Sequence, residues 1–206
     1  MDRRTTIKWV LAASAAWPLA GKGAAPAADS ALAARGYGND PDLLAAYHPG
    51  ELWPLTLTAA QRRLATTLAD IIIPADEHSP SAAAVGVVEF IDEWVSAPYP
   101  ASRQDRPIVL DGLAWLDSEA LRRFGKAFAD LGTTEQRGIC DDICDASRAL
   151  PERRAAARFF ALYRNLTAGG FYSTPLGRSD LGYIGNVARE RFEGPPPALL
   201  ARLNLP

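Results

Sequence analysis

Cys140 and Cys144 are the two cysteines of this 206-residue chain, and the spacing places both on one predicted helix. Four residues apart on a helix, their Cα atoms lie about 6 Å from each other, a separation that a disulfide tolerates. In an exported protein the oxidised pair is the default expectation, with free thiols as the alternative. Closing so small a loop stabilises little, toward the bottom of a range of about 0–5 kcal/mol. A redox-active role would favour Cys-x-x-Cys spacing, which is absent.

The other reactive side chains do not assemble into a site. His48 and His78 stand in loops, and His78 has Asp76 and Glu77 as sequence neighbours. A metal centre needs three or four converging ligands, and adjacent residues seldom supply them, so a solvated loop is expected. Asp141, Asp142 and Asp145 read as a wet helix face, because no glycine-bearing calcium loop accompanies them. Neither a Gly-x-Ser-x-Gly elbow nor a Gly-x-Gly-x-x-Gly phosphate loop occurs. No catalytic, cofactor-binding or metal site is therefore expected within the chain itself.

Composition narrows the classes further. There are 22 basic and 24 acidic side chains, a formal net charge of −2, and 48% hydrophobic residues. That suits one globular domain with a core and excludes wholesale disorder. Without a Lys/Arg cluster, nucleic-acid binding is not expected. Two cysteines cannot build a Cys₄ zinc or iron–sulfur site, and no Cys-x-x-Cys-His is present for haem attachment.

Residues 1–27 read as a cleavable leader. Arg3 and Arg4 precede an apolar run, Trp9 to Trp17, and Ala25-Pro26-Ala27 supplies small residues for cleavage. The run is too short to span roughly 30 Å of hydrocarbon. The paired arginines look like the twin-arginine signal, which exports folded proteins, although Thr6 stands where that signal usually has a large apolar residue. An ordinary secretory leader is the alternative. Either way the chain is exported, and cleavage leaves a mature protein near −5 with Lys126 as its lysine.

Residues 28–57, rich in Ala, Gly and Pro, read as an extended arm, with Trp53-Pro54-Leu55 apolar enough to dock. Thr58 to Gln61 is a capping box that opens a helix stopped by Pro74. In the helix near 85–96, Val87, Phe90, Ile91, Trp94 and Val95 form one apolar stripe opposite Glu89, Asp92 and Glu93. Pro98-Tyr99-Pro100 reads as a break, followed by a helix over 107–116. Asp117-Ser118-Glu119 then caps a short one ending near Gly125. A second capping box at Thr133 starts a helix through about Ser147. Pro151 opens the longest helix, with Gly169-Gly170 as its stop. After Pro195-Pro196-Pro197 comes a short final helix. With no sustained period-2 alternation, the expected architecture is all-α: a small irregular helical bundle with long ordered loops over 58–206.

The aromatic load of 159–192 is the unusual feature. Phe159 and Tyr163 read as core. Phe171, Tyr172 and Tyr183 sit among glycines, where a small bundle has little room for all three, and Tyr and Phe are enriched at interfaces. A partner surface and self-packing are both open readings.

Several blocks in matching order resemble the gluconate 2-dehydrogenase subunit 3 family across roughly 55–193. They include Ala69-Asp70-Ile71-Ile72-Ile73-Pro74, Gly86-Val87-Val88-Glu89-Phe90-Ile91-Asp92 and Gly112-Leu113-Ala114-Trp115-Leu116-Asp117. Further along come Arg123-Phe124-Gly125-Lys126, Gly169-Gly170-Phe171-Tyr172 and Asp180-Leu181-Gly182-Tyr183-Ile184-Gly185-Asn186. The resemblance implies a non-catalytic small subunit of a membrane-associated sugar, sugar-acid or polyol dehydrogenase. In such complexes a glucose–methanol–choline-type large subunit holds FAD, and a cytochrome c subunit with haem c often carries electrons onward. The small subunit commonly bears the twin-arginine signal and escorts its partner to the periplasm, at the outer face of the inner membrane. The Cys-Asp-Asp-Ile-Cys segment resembles subunits paired with glucoside 3-dehydrogenases. Trp53, Gly169, Gly170, Phe171, Tyr172, Tyr183 and Asn186 are the expected partner interface. An independent periplasmic helical binding module is the alternative.

Overall fold

A computed structural model of the chain describes residues 44, 47–183, 185, 188 and 194–204. Arg3, Arg4 and Asn186 lie outside the described residues, as does most of the arm. Among the described residues there are seven α-helices and no strand, so the fold is all-α. They are α1 Ala59–Ile72, α2 Val87–Ser96, α3 Pro100–Phe124, α4 Thr133–Asp141, α5 Arg154–Ser173, α6 Pro175–Asp180 and α7 Pro197–Leu203. Single 3₁₀ turns stand at Ala83–Val85, Phe128–Asp130 and Pro151–Arg153.

α1 begins as its sequence dictates. The Thr58 hydroxyl accepts from the Gln61 backbone N–H at 3.3 Å, and the Gln61 side chain accepts from the Thr58 N–H at 2.9 Å. The following loop is pinned by Asp70, whose carboxylate accepts the Ala83 N–H at 3.0 Å. Around its tip, the Asp76 carboxylate accepts the N–H groups of His78 and Ser79, each at 2.8 Å. Those bonds, the His78 one foremost, hold Asp76 below the usual carboxylate range.

α3 runs unbroken over 25 residues where two shorter helices were expected. Pro100 is its first residue rather than a break, because a proline at that position forfeits only an N–H that has no helical partner. Pro107 sits inside the helix at an exposed position. The supposed second cap is otherwise engaged. Asp117 accepts the Phe128 N–H at 2.9 Å, the Ser118 hydroxyl donates to the Ala114 carbonyl at 2.8 Å, and Glu119 holds arginines. Gly125 ends α3.

α4 starts one residue earlier than the capping pattern suggested. Gly132 is its N-cap, and the Glu135 carboxylate accepts the Gly132 N–H at 3.0 Å. It also stops at Asp141 instead of continuing to Ser147. The chain turns there over 142–143, with Ile143 buried. α5 continues through Gly169 and Gly170 to Ser173, so neither glycine is a stop.

α3 and α5 form the main packing pair, with α2 lying against both and α1 against α2. Tyr163, Phe128, Phe159, Phe171, Ile91 and Leu113 are fully enclosed in the core. Gly112 lets α3 and α5 approach: a Cβ there would stand 1.9 Å from Phe159 Cγ. The Tyr163 hydroxyl donates to the Ala65 carbonyl at 2.7 Å, and burial drives its pKa upward.

Candidate partner interface

α2 carries two rows of side chains, not the single stripe its sequence suggested. Val87, Val88, Ile91 and Val95 face the core. Phe90 and Trp94, one turn apart, lie at its edge with ring centroids 6.3 Å from each other. Phe90 stays 38% exposed. Asp92, expected on the outer face, is completely buried.

The burial of Asp92 has a clear purpose in the architecture. Its Oδ1 accepts the backbone N–H groups of Thr56 at 3.1 Å and Leu57 at 3.0 Å, and the Ser96 hydroxyl at 3.3 Å. Oδ2 faces the Arg62 guanidinium at 2.6 Å. At the next residue, the Glu93 carboxylate accepts the Gly50 N–H at 3.0 Å, and the Glu93 carbonyl accepts the Trp53 indole N–H at 3.3 Å. The end of the arm is thereby strapped along α2.

Strapping brings Trp53 edge-on to Tyr99, with centroids 5.9 Å apart and planes at 86°. The α2–α3 corner beneath is closed by Arg106, which donates to the carbonyls of Val95, Ser96 and Ala97. The Trp94 indole N–H donates to Asp105 at 2.9 Å. Together these contacts shape an apolar cleft of about 360 Å³ walled by Trp53, Phe90, Trp94 and Tyr99, with Glu93 as its carboxylate. Gly170 of α5 backs it, since a Cβ at that position would come within 2.8 Å of Phe90 Cδ1.

The expected interface residues divide. Trp53 is buried as a wall of this cleft, and Gly170 is buried beneath Phe90. Phe171 is enclosed in the core, against the expectation that the bundle lacked room for it. Gly169 is exposed, as are Tyr172 at 37% and Tyr183 at 55%. Phe90, Trp94 and Tyr99 escaped the sequence reading. Two aromatics at i, i+4 flanked by Glu89 and Glu93 were the available signal, and a core stripe absorbed them.

The cysteines are a correction. Both are free thiols: Cys140 faces the core from the last turn of α4, while Cys144 is exposed beyond the helix end. The helix ends at Asp141, so Cys144 lies beyond it in the turn that buries Ile143. Burial pushes the Cys140 thiol up to about 12, and the Cys144 thiol donates weakly to the Asp141 carbonyl at 3.4 Å.

Beside them is an ionic cluster. Glu119 pairs with Arg122 at 2.7 Å and with Arg123, and Asp142 takes Arg123 at 2.6 Å and Arg153 at 2.8 Å. Hydrogen bonds from Arg122, then Arg123, lower the Glu119 carboxyl to about 2 despite its burial. Among the described residues no group of three or more His, Cys, Asp or Glu is placed to hold a metal ion. Among them, too, no helix is long and apolar enough to cross a membrane.

The model of one family, gluconate 2-dehydrogenase subunit 3, matches residues 59–188. The chain belongs to that family. The match opens on the first residue of α1 and takes in all six helices through α6, so the bundle described above is the subunit 3 fold. No curated protein and no solved structure matches the chain. The strap over 47–57 precedes the matched residues, whereas Phe90, Trp94 and Tyr99 lie within them.

Proposed function

We propose that this subunit 3 chain is a non-catalytic accessory subunit of an exported FAD-dependent sugar, sugar-acid or glucoside dehydrogenase. Its role is to stabilise the flavoprotein large subunit and to carry it through the twin-arginine route. The family match over 59–188 carries the reading. Arg3 and Arg4 in the leader support the export arm of it. The cleft does not suit FAD itself: its wall is apolar and a diphosphate would meet the Glu93 carboxylate. The flavin belongs to the partner, and a cytochrome c subunit completes the electron path in this reading.

The physical logic is simple. A flavoprotein that binds FAD in the cytoplasm folds before export, so only a route for folded proteins can carry it. One leader on a tightly bound partner then serves two chains. The complex must survive translocation, which calls for a permanent interface burying on the order of 2,000 Å² or more.

Affinity capture of the tagged chain from its native periplasm and membranes tests this. A stoichiometric flavoprotein with flavin absorbance bands is expected. A colourless, solitary chain would overturn the proposal in favour of an independent binding module. Replacing Arg3 and Arg4 by Lys should strand both chains in the cytoplasm; continued export of the pair would remove the escort role.

A further inference from the structure

Resting on the accessory-subunit reading, we infer that the Trp53–Phe90–Trp94–Tyr99 cleft anchors the partner. Its occupant is an apolar side chain of the large subunit, flanked by a basic residue. Three observations point there. The cleft is apolar and aromatic yet open, with Phe90 and Tyr99 each more than a third exposed. Buried aromatic anchors surrounded by a polar rim are what carry most of the energy of an interface.

The second observation is what the fold gives up to build it. Gly170 lies inside α5, where glycine is a poorer helix former than alanine. The absent side chain leaves room for the Phe90 ring, which nonetheless points partly to solvent. The fourth wall, Trp53, is brought in from outside the bundle by the strap on Asp92 and Glu93.

The third is charge. Glu89 and Glu93 stand at i, i+4 on α2, in a row beside Phe90 and Trp94, and Asp105 lies on the facing helix. Like charges at that spacing repel, although the helix dipole favours Glu89 in the first turn. Arg106 faces the same corner, but its guanidinium is committed to three carbonyls. A Lys or Arg beside the inserted apolar group would complement this acidic margin.

The test uses the intact complex, formed by co-expressing both chains, with affinity measured by titrating separated subunits. Phe90→Ala should weaken binding by about 30-fold, the size expected of an anchor residue. Glu89→Arg, at an exposed position that leaves the fold intact, should weaken it several-fold and flatten its salt dependence. Arg137→Ala, exposed on α4 and not among the residues that line the cleft, is the comparison. Wild-type binding with both cleft variants within 2-fold of it would overturn the anchor and leave the accessory-subunit reading standing. Absence of any flavoprotein binding by the wild type would overturn both. If light scattering showed wild-type dimers that Phe90→Ala dissolves, the occupant would be a second copy and the inference would fail.

Discussion

Asp92 and Arg62 meet at 2.6 Å across the α1–α2 contact, the carboxylate wholly buried and the guanidinium about a third exposed. The same carboxylate holds the backbone of Thr56 and Leu57, immediately before the first helix. A single acid thus joins the strap, α1 and α2, and the aromatic cleft depends on that junction.

Removing the acid leaves Arg62 without its partner and two backbone N–H groups without acceptors. Asp92→Ala should lower stability by about 3 kcal/mol, and Asp92→Asn by less, because an amide oxygen still accepts. Urea unfolding followed by circular dichroism measures both. Equal midpoints for Asp92→Ala and wild type would show that the strap contributes nothing.

Two glycines on facing helices should respond in opposite directions. Gly112→Ala drives a methyl into Phe159, with no room to yield in the core, and should cost about 3 kcal/mol. Gly169→Ala meets open space inside α5 and should stabilise by up to about 1 kcal/mol. Pairing Gly112→Ala with Phe159→Leu should recover part of the loss. Thermal melts of the three variants decide it, and a benign Gly112→Ala would refute the close approach of α3 and α5.

Acid should weaken the fold through Glu119. Its carboxyl sits at about 2 in the folded chain against an ordinary 4.5, so the ionised form favours folding. That contribution is complete above about pH 4.5 and disappears as pH falls toward 2. Glu119→Gln should be less stable than wild type at pH 7 and show a shallower decline on acidification. Parallel pH profiles for the two proteins would count against the arginine cluster as its cause.

Thiol chemistry should separate the cysteines. Iodoacetamide on the native protein should label Cys144 and spare Cys140, which is buried with its thiol pushed up to about 12. Denaturation should open both. Peptide mass mapping reads the result, and failure to label either residue without reductant would restore the disulfide.

Much of the fold was legible because its signals are local. Thr58 and Gln61 define the start of α1 within four residues, and Pro74, Gly125 and Pro151 punctuate the chain close to where the helices change. The family blocks are likewise continuous in sequence. The interface was less legible. Phe171 belongs to the core and Phe90 to the surface, the reverse of their assignment from sequence texture.

The sequence by itself determined the helical class, most helix starts and the family, since caps, prolines and apolar periods act over a single turn. Tertiary structure alone decided which face of α2 is buried, that α3 is one helix and that α5 passes through two glycines. Those outcomes depend on partners far along the chain: Leu57 for Asp92, Phe159 for Gly112 and Phe90 for Gly170. A buried carboxylate looks like any surface acid until the backbone N–H groups that satisfy it are in place.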